Sequence, residues 1–218
     1  MGAETIVIQA DVSEQTQCQR IIGQTIAAYK RLDMLINNAG ISMWARFAKL
    51  DDPALIERIM RVNFLGAMYC TYYALPHLKQ SRGRVVCVSS LAGKIYAPGN
   101  TGYVASKYAM DGFFNSLRGE VEDDGVSITI VYPDFVETGL ASSMLDTAGK
   151  PSKGISDTLA GTKQMSVETC AQLILEASAK RQPESLMSLR GKLFPWLKLI
   201  APGLIFRSVK RLMEQTGI

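Results

Sequence analysis

Apolar positions along the 218-residue chain follow two alternating rhythms. Short runs that are apolar at every position stand between longer stretches in which apolar residues recur every three or four positions. The first kind predicts strands buried on both faces, and the second predicts amphipathic helices. Strands are expected at 5–9 (TIVIQ), 34–36 (MLI), 84–89 (RVVCVS) and 126–132 (VSITIVY), the last stopped by Pro133. Ile22, Ile26 and Tyr29 place a helix over 13–30 with Ser13 as its N-cap. Asp51-Asp52-Pro53 opens a long helix that carries Leu55, Ile59, Val62, Cys70, Ala74 and Leu78. Met110, Phe113, Phe114, Leu117 and Val121 mark another helix over 103–121.

Strands alternating with long helices predict an α/β fold, a doubly wound parallel sheet covered by helices. In such sheets ligands gather beyond the carboxyl ends of the strands. The polar clusters Asn37-Asn38-Ala39-Gly40, Ser89-Ser90 and Pro133-Asp134 all follow predicted strands. Residues 138–166 are rich in Ser, Thr and Gly without a sustained period, which predicts a loop that closes over the site as a substrate lid. Residues 191–218 form a basic, apolar C-terminal segment, interrupted by Pro195, Pro202 and Gly203. Its 191–211 stretch suits either peripheral contact with a membrane surface or packing over the substrate entrance or a subunit interface.

Residues 1–218 are expected to form one domain. With 24 basic and 20 acidic residues the net charge of +4 is too mild to call for nucleic acid as a partner. Cysteines 18, 70, 87 and 170 form no CxxC pair and His77 is the lone histidine, so no metal site is expected. Three of the cysteines fall in apolar helix or strand patterns and suit buried reduced thiols, and with no secretory signal and no apolar run of membrane-spanning length the expected location is cytoplasmic, with membrane-peripheral contact as the alternative.

The most informative chemistry is Tyr103-Val104-Ala105-Ser106-Lys107. At i and i+4, Tyr103 and Lys107 share a helix face. An ammonium beside a phenol favours the phenolate, so the pair is a candidate general acid/base with a lowered tyrosine pKa. Ser90, thirteen positions earlier, can share the same substrate oxygen. Asn63 stands alone inside an apolar helix. Met43, Trp44 and Phe47 suit either a hydrophobic substrate wall or the core.

With Asp11-Val12, Asn37-Asn38-Ala39-Gly40, Asn63, Ser89-Ser90, Tyr103-xxx-Lys107, and Pro133 with Thr138 in this order and spacing, the sequence resembles the short-chain dehydrogenase/reductase family. The resemblance implies a Rossmann-like sheet and NAD(P)-dependent hydride transfer between nicotinamide and a small alcohol or ketone, here an apolar one. It implies Tyr103 as acid/base, Ser90 as holder of the carbonyl oxygen, Lys107 on the nicotinamide ribose and Asn63 as support for a water relay to Lys107. Asp11 and Val12 would border the adenine, Asn38 and Ala39 the cofactor cleft, and Pro133, Val136 and Thr138 the nicotinamide and its phosphates. It also implies a homo-oligomer.

The family's opening strand, TGxxxGxG turn and helix are not among these residues. The expectation is a chain short of its first two strand-helix units, with weakened pyrophosphate binding and exposed sheet edges. The residue that separates NAD from NADP would lie in that part, with NADP slightly favoured. A truncated or mis-started copy of a longer enzyme, or a shortened non-catalytic form that binds a partner, would each carry this pattern. Asp134 also stands where the family usually has Gly.

Overall fold

The computed structural model describes residues 4–140, 143–152 and 164–215. Four parallel strands form one sheet in the order β1 (Met34–Asn37), β2 (Arg84–Val88), β3 (Ser127–Tyr132) and β4 (Glu184–Leu186). The register sets Met34 beside Arg84, Arg84 beside Ser127 and Ile130 beside Glu184. Helix α1 (Gln15–Tyr29) precedes β1; between the strands run α2 (Ala54–Met60), α3 (Gly66–Ser81), α4 (Thr101–Val121) and α5 (Val167–Ala179), and after β4 come α6 (Leu189–Ile200) and α7 (Pro202–Gln215).

The strand side chains alternate between two covered faces. Val85, Cys87, Ile128, Ile130 and Tyr132 pack with Leu78 of α3 and with Met110, Phe114 and Leu117 of α4. Val86 and Val131 turn the other way, onto Ala177 and Ile174 of α5. This two-sided burial is why the strand runs are apolar throughout. All four cysteines are buried free thiols, one more than the apolar patterns predict.

The sequence at 5–9 does not form the expected strand. Residues 4–10 form no regular element and lie outside the sheet, with Val7 97% exposed, and are held to α1 by Arg20 donating to the Gln9 carbonyl at 2.6 Å and Tyr29 donating to the Glu4 carbonyl at 3.2 Å. A β-branched run becomes a strand only where a neighbour accepts its hydrogen bonds. Among the described residues β1 is paired on one side only. The start of α1 also differs from expectation. Its N-cap is Glu14, because Ser13 is turned into the loop, where both its backbone N–H and its hydroxyl donate to Asp11 Oδ1 at 2.9 and 2.8 Å.

The long helix expected from residue 51 onward is broken by a π-helical turn at Arg61–Leu65. Its buried positions explain the turn: Leu55, Ile59, Asn63, Ala67 and Thr71 are spaced by four throughout. At about 100° per residue, each step of four would carry an α-helical stripe about 40° further around, and a wider turn takes up part of that drift. The shift buries Asn63 in place of the expected Val62. Gly66 follows at the closest approach to the segment before α1: a Cβ there would lie 2.8 Å from the Val12 carbonyl oxygen.

Candidate active site

The carboxyl ends of β1, β2 and β3 open onto one cavity of about 530 Å³. Asn38 and Gly40 reach it from the loop after β1, Ser89 and Ser90 from the end of β2, and Pro133, Val136 and Thr138 from the segment after β3. Tyr103 and Lys107 reach it from the first turns of α4. Seven of the residues singled out in the sequence therefore meet at one place: Asn38, Ser90, Tyr103, Lys107, Pro133, Val136 and Thr138.

Ser90 and Lys107 are held by their local structure. Ser90 caps the short turn Leu91–Gly93, its Oγ accepting from the Ala92 N–H at 3.2 Å. Gly93 lets that turn lie against α4, since a Cβ there would meet Ser89 Oγ at 2.8 Å and the Lys107 carbonyl at 3.3 Å. Beyond the turn, Lys94 Nζ lies 3.1 Å from Asp111 and 3.0 Å from Glu184, tying the Ser90 loop to α4 and β4. Lys107 is buried, donates to the Val88 carbonyl at 2.9 Å and lies 5.5 Å from the centre of the Tyr103 ring.

The electrostatics of this pair correct one expectation. Burial raises the Tyr103 pKa above its ordinary value, opposed by a side-chain hydrogen bond with Ser90, and Lys107 does not offset it. Burial also lowers Lys107 to about 8. For both groups the loss of hydration on burial is the largest cause of the shift.

Asn63 lies beneath the cavity rather than in its wall. Its Oδ1 accepts from the Ile41 N–H at 2.8 Å, and its Nδ2 donates to the Ile41 carbonyl and to Ser106 Oγ, both at 2.9 Å. The side chain thus fastens the loop after β1 to the helix that carries Tyr103 and Lys107. Replacing it with alanine would leave the partly buried Ile41 N–H and carbonyl without these partners, at up to about 1–3 kcal/mol for each group left unsatisfied. Asn63→Ala is expected to lower the denaturant midpoint by several kcal/mol's worth of stability, and an unchanged midpoint in urea unfolding would contradict this role.

Asp11, Val12 and Ala39 are not brought to this cavity. Asp11 lines a separate groove beside residues 7–10, Gln17 and Arg20, and its hydrogen bonds from Ser13 hold its carboxyl pKa below the usual value. Val12 and Ala39 line neither.

The apolar part of the wall was largely hidden from sequence reasoning. It includes Trp44, Tyr96, Phe135, Leu140, Met144, Ile174 and Phe194, drawn from the loops after β1 and β2, the segment after β3, α5 and α6. Of the three residues weighed for this wall, Trp44 joins it, Met43 is fully buried in the core, and Phe47 is exposed. Within 138–166, Thr138, Leu140, Ser143, Met144 and Gln164 line the cavity, while 141–142 and 153–163 lie outside the described residues. Asp134 accepts from Ser188 Oγ at 3.0 Å and lies 3.5 Å from Arg190 Nε, joining the segment after β3 to the start of α6. Ser188 was the readable signal there, since it is the N-cap of α6.

A parallel sheet covered by helices, with a cleft at its carboxyl edge and a Tyr-Lys pair on the helix beside it, defines a Rossmann-like α/β domain. Residues 1–149 match the sequence model of the short chain dehydrogenase family, and the chain belongs to that family. It is 36% identical over 180 residues to 11-beta-hydroxysteroid dehydrogenase-like 6 of Arabidopsis thaliana, covering 80% of this chain and 52% of the relative. It is 42% identical over 135 residues to 11-beta-hydroxysteroid dehydrogenase A of Arachis hypogaea, covering 62% and 38% respectively. The chain thus spans about half the length, or less, of these relatives. A short chain dehydrogenase from Burkholderia cenocepacia, crystallised in complex with NADP, superposes with a TM-score of 0.77 at 19% identity, over 93% of this chain and 77% of that one. A short-chain dehydrogenase from Streptomyces avermitilis gives 0.73 at 20% identity, over 94% and 79%. No helix among the described residues is long and apolar enough to cross a membrane.

Proposed function

We propose that this chain carries the catalytic end of an NAD(P)-dependent oxidoreductase that interconverts an apolar alcohol and its ketone. The observation that carries the reading is the convergence of Ser90, Tyr103 and Lys107 on one cavity whose remaining wall is mostly apolar. The hydroxysteroid dehydrogenase names of the relatives support a lipid-like substrate of that size.

The residues present fit the nicotinamide end of such a cofactor. Ser89 Oγ is buried beside the cavity without a hydrogen-bond partner, and Lys107 offers a cation in the same wall. Asn38, Lys107, Pro133, Val136 and Thr138 would hold that end. When bound, the reduced nicotinamide supplies the hydride to the carbonyl carbon. NADP is favoured on the Burkholderia neighbour, which was crystallised with it.

Ser90 and Tyr103 both donate to the substrate oxygen, which fixes the carbonyl and offsets the charge that develops on it. The raised Tyr103 pKa keeps its proton on the phenol at neutral pH, the form required of a general acid in reduction. The reverse reaction needs phenolate, so its rate is expected to climb with pH. Residues 138–166 would act as the substrate lid and Asn63 as the positioning residue beneath.

The test is consumption of reduced NADP by the purified chain with a panel of apolar ketones. Ser90→Ala is expected to lower the rate about a hundredfold, as for loss of one donor to a developing oxyanion. An unchanged rate would overturn the assignment. A second reading, a non-catalytic protein that binds a partner strand, is favoured by the side of β1 that is unpaired among the described residues, and predicts co-purification with a longer relative.

A further inference from the structure

The C-terminal helices carry a feature that hydride transfer leaves unused. On α6, Leu189, Leu193, Trp196 and Ile200 recur at helical spacing, and all four are between 56% and 82% exposed. Leu199 widens this stripe. The opposite flank is fixed against the body of the protein: Arg190 and Phe194 line the cavity, and Lys198 Nζ donates to the Lys94 carbonyl at 3.0 Å and to Tyr108 Oη at 2.6 Å. The helix therefore cannot roll its apolar stripe inward without giving up these contacts. On α7, Ile205 is buried while Leu204 and Phe206 extend the exposed surface. Contiguous apolar surface of this kind marks a contact site.

Charge selects the occupant. Between Glu184 and Glu214 the sequence has no Asp or Glu and six Lys or Arg residues. Arg190 lies against Asp134 and Lys198 is turned inward, while Lys192 on α6 and Arg207 and Arg211 on α7 are exposed. A second copy seated here about a two-fold axis would bring two sets of like charges together. An anionic lipid surface would neutralise them and accept the aliphatic and indole side chains at its acyl boundary.

We propose that α6 and α7 form an interfacial element that seats the protein on an anionic bilayer surface without crossing it. The element lies flat, since Pro202-Gly203 divides it into two short helices. Because the inner flank of α6 is also a wall of the cavity, the seated protein presents that end of the cavity toward the lipid.

The test is sedimentation of the chain with phosphatidylcholine vesicles made with and without phosphatidylserine. Binding to the phosphatidylserine vesicles is expected, falling as salt rises, with little binding to phosphatidylcholine alone. Leu193→Ser, Trp196→Ser and Ile200→Ser together should weaken binding at least about tenfold, by removal of buried apolar area. Their thermal unfolding should stay unchanged, because these side chains are exposed. Lys192→Glu with Arg207→Glu should abolish the preference for the anionic vesicles. In a Trp44→Phe background, which leaves Trp196 as the sole tryptophan, vesicle addition should shift the fluorescence to the blue. Equal binding to both vesicle types, or binding to neither, overturns the proposal. So does a lipid-free dimer in sedimentation velocity that the triple serine variant splits, which would make the face a subunit interface.

Discussion

Tyr103→Phe is expected to leave the fold intact and to cut ketone reduction about a thousandfold, the middle of the range for a positioned general acid. The ring stays in the cavity wall and only the hydroxyl is removed. That hydroxyl shares a hydrogen bond with Ser90, whose Oγ keeps its capping bond from the Ala92 N–H, so the loop after β2 retains its anchor. The loss should fall on turnover rather than on the Michaelis constant, because the phenol acts as the carbonyl oxygen becomes charged. Turnover of the wild type should not fall through loss of the Tyr103 proton anywhere near neutral pH, since burial holds that pKa above its ordinary value. Steady-state kinetics from pH 6 upward would check both points. A Tyr103→Phe enzyme with wild-type turnover would remove this residue from the chemistry.

The elements legible in the sequence were those whose side chains are buried by long-lived partners. Runs such as Val85, Val86 and Cys87, or Ile128, Thr129 and Ile130, are apolar or compact throughout because helices cover both sides of the sheet. Tyr103 and Lys107 were legible as a pair because four positions on one helix suffice to bring them together. The misses share a different cause. The 5–9 segment has the composition of a strand, but a strand needs a neighbour that composition cannot supply. Conversely Glu184–Leu186 has no apolar run, and it is a strand because β3 offers its free edge. Pro195 was taken as an interruption, yet it sits inside α6, whose start is secured by the Ser188 cap and whose inner flank is secured by Lys198. The apolar cavity wall joins residues as far apart as Trp44 and Phe194, and nothing local in either segment announces the meeting. The lowered tyrosine pKa failed as an expectation for the same reason. Spacing reports how near Lys107 is, whereas the shift depends on how deeply the surrounding fold buries both groups.

That burial gives Lys107 opposite effects on stability and on function. Each tenfold change in a protonation equilibrium is about 1.36 kcal/mol. The drop of Lys107 from an ordinary 10.5 to about 8 means that keeping it charged inside costs about 3 kcal/mol at pH 7. Between about pH 8 and 10.5 the unfolded chain holds the proton more tightly than the folded one, so stability rises with pH across that window and the cost is gone above it. Lys107→Met removes the charge while filling a similar volume beside Met110, and gives up the bond to the Val88 carbonyl, worth about 1 kcal/mol. The variant is expected to be about 2 kcal/mol more stable than wild type at pH 7, a gain of about 5 °C in midpoint for a chain of this size. The advantage should close as the pH approaches 10.5, the ordinary lysine value. Ketone reduction should fall about a hundredfold or more, because the cavity loses the cation beside Tyr103 and the proposed cofactor site. Denaturant unfolding at pH 7 and pH 10, beside turnover at pH 7, separates these effects. A variant less stable than wild type at pH 7 would mean that the buried charge is fully compensated by its surroundings. A variant that is more stable and equally active would take Lys107 out of the site, leaving Tyr103 and Ser90 to work without a nearby cation.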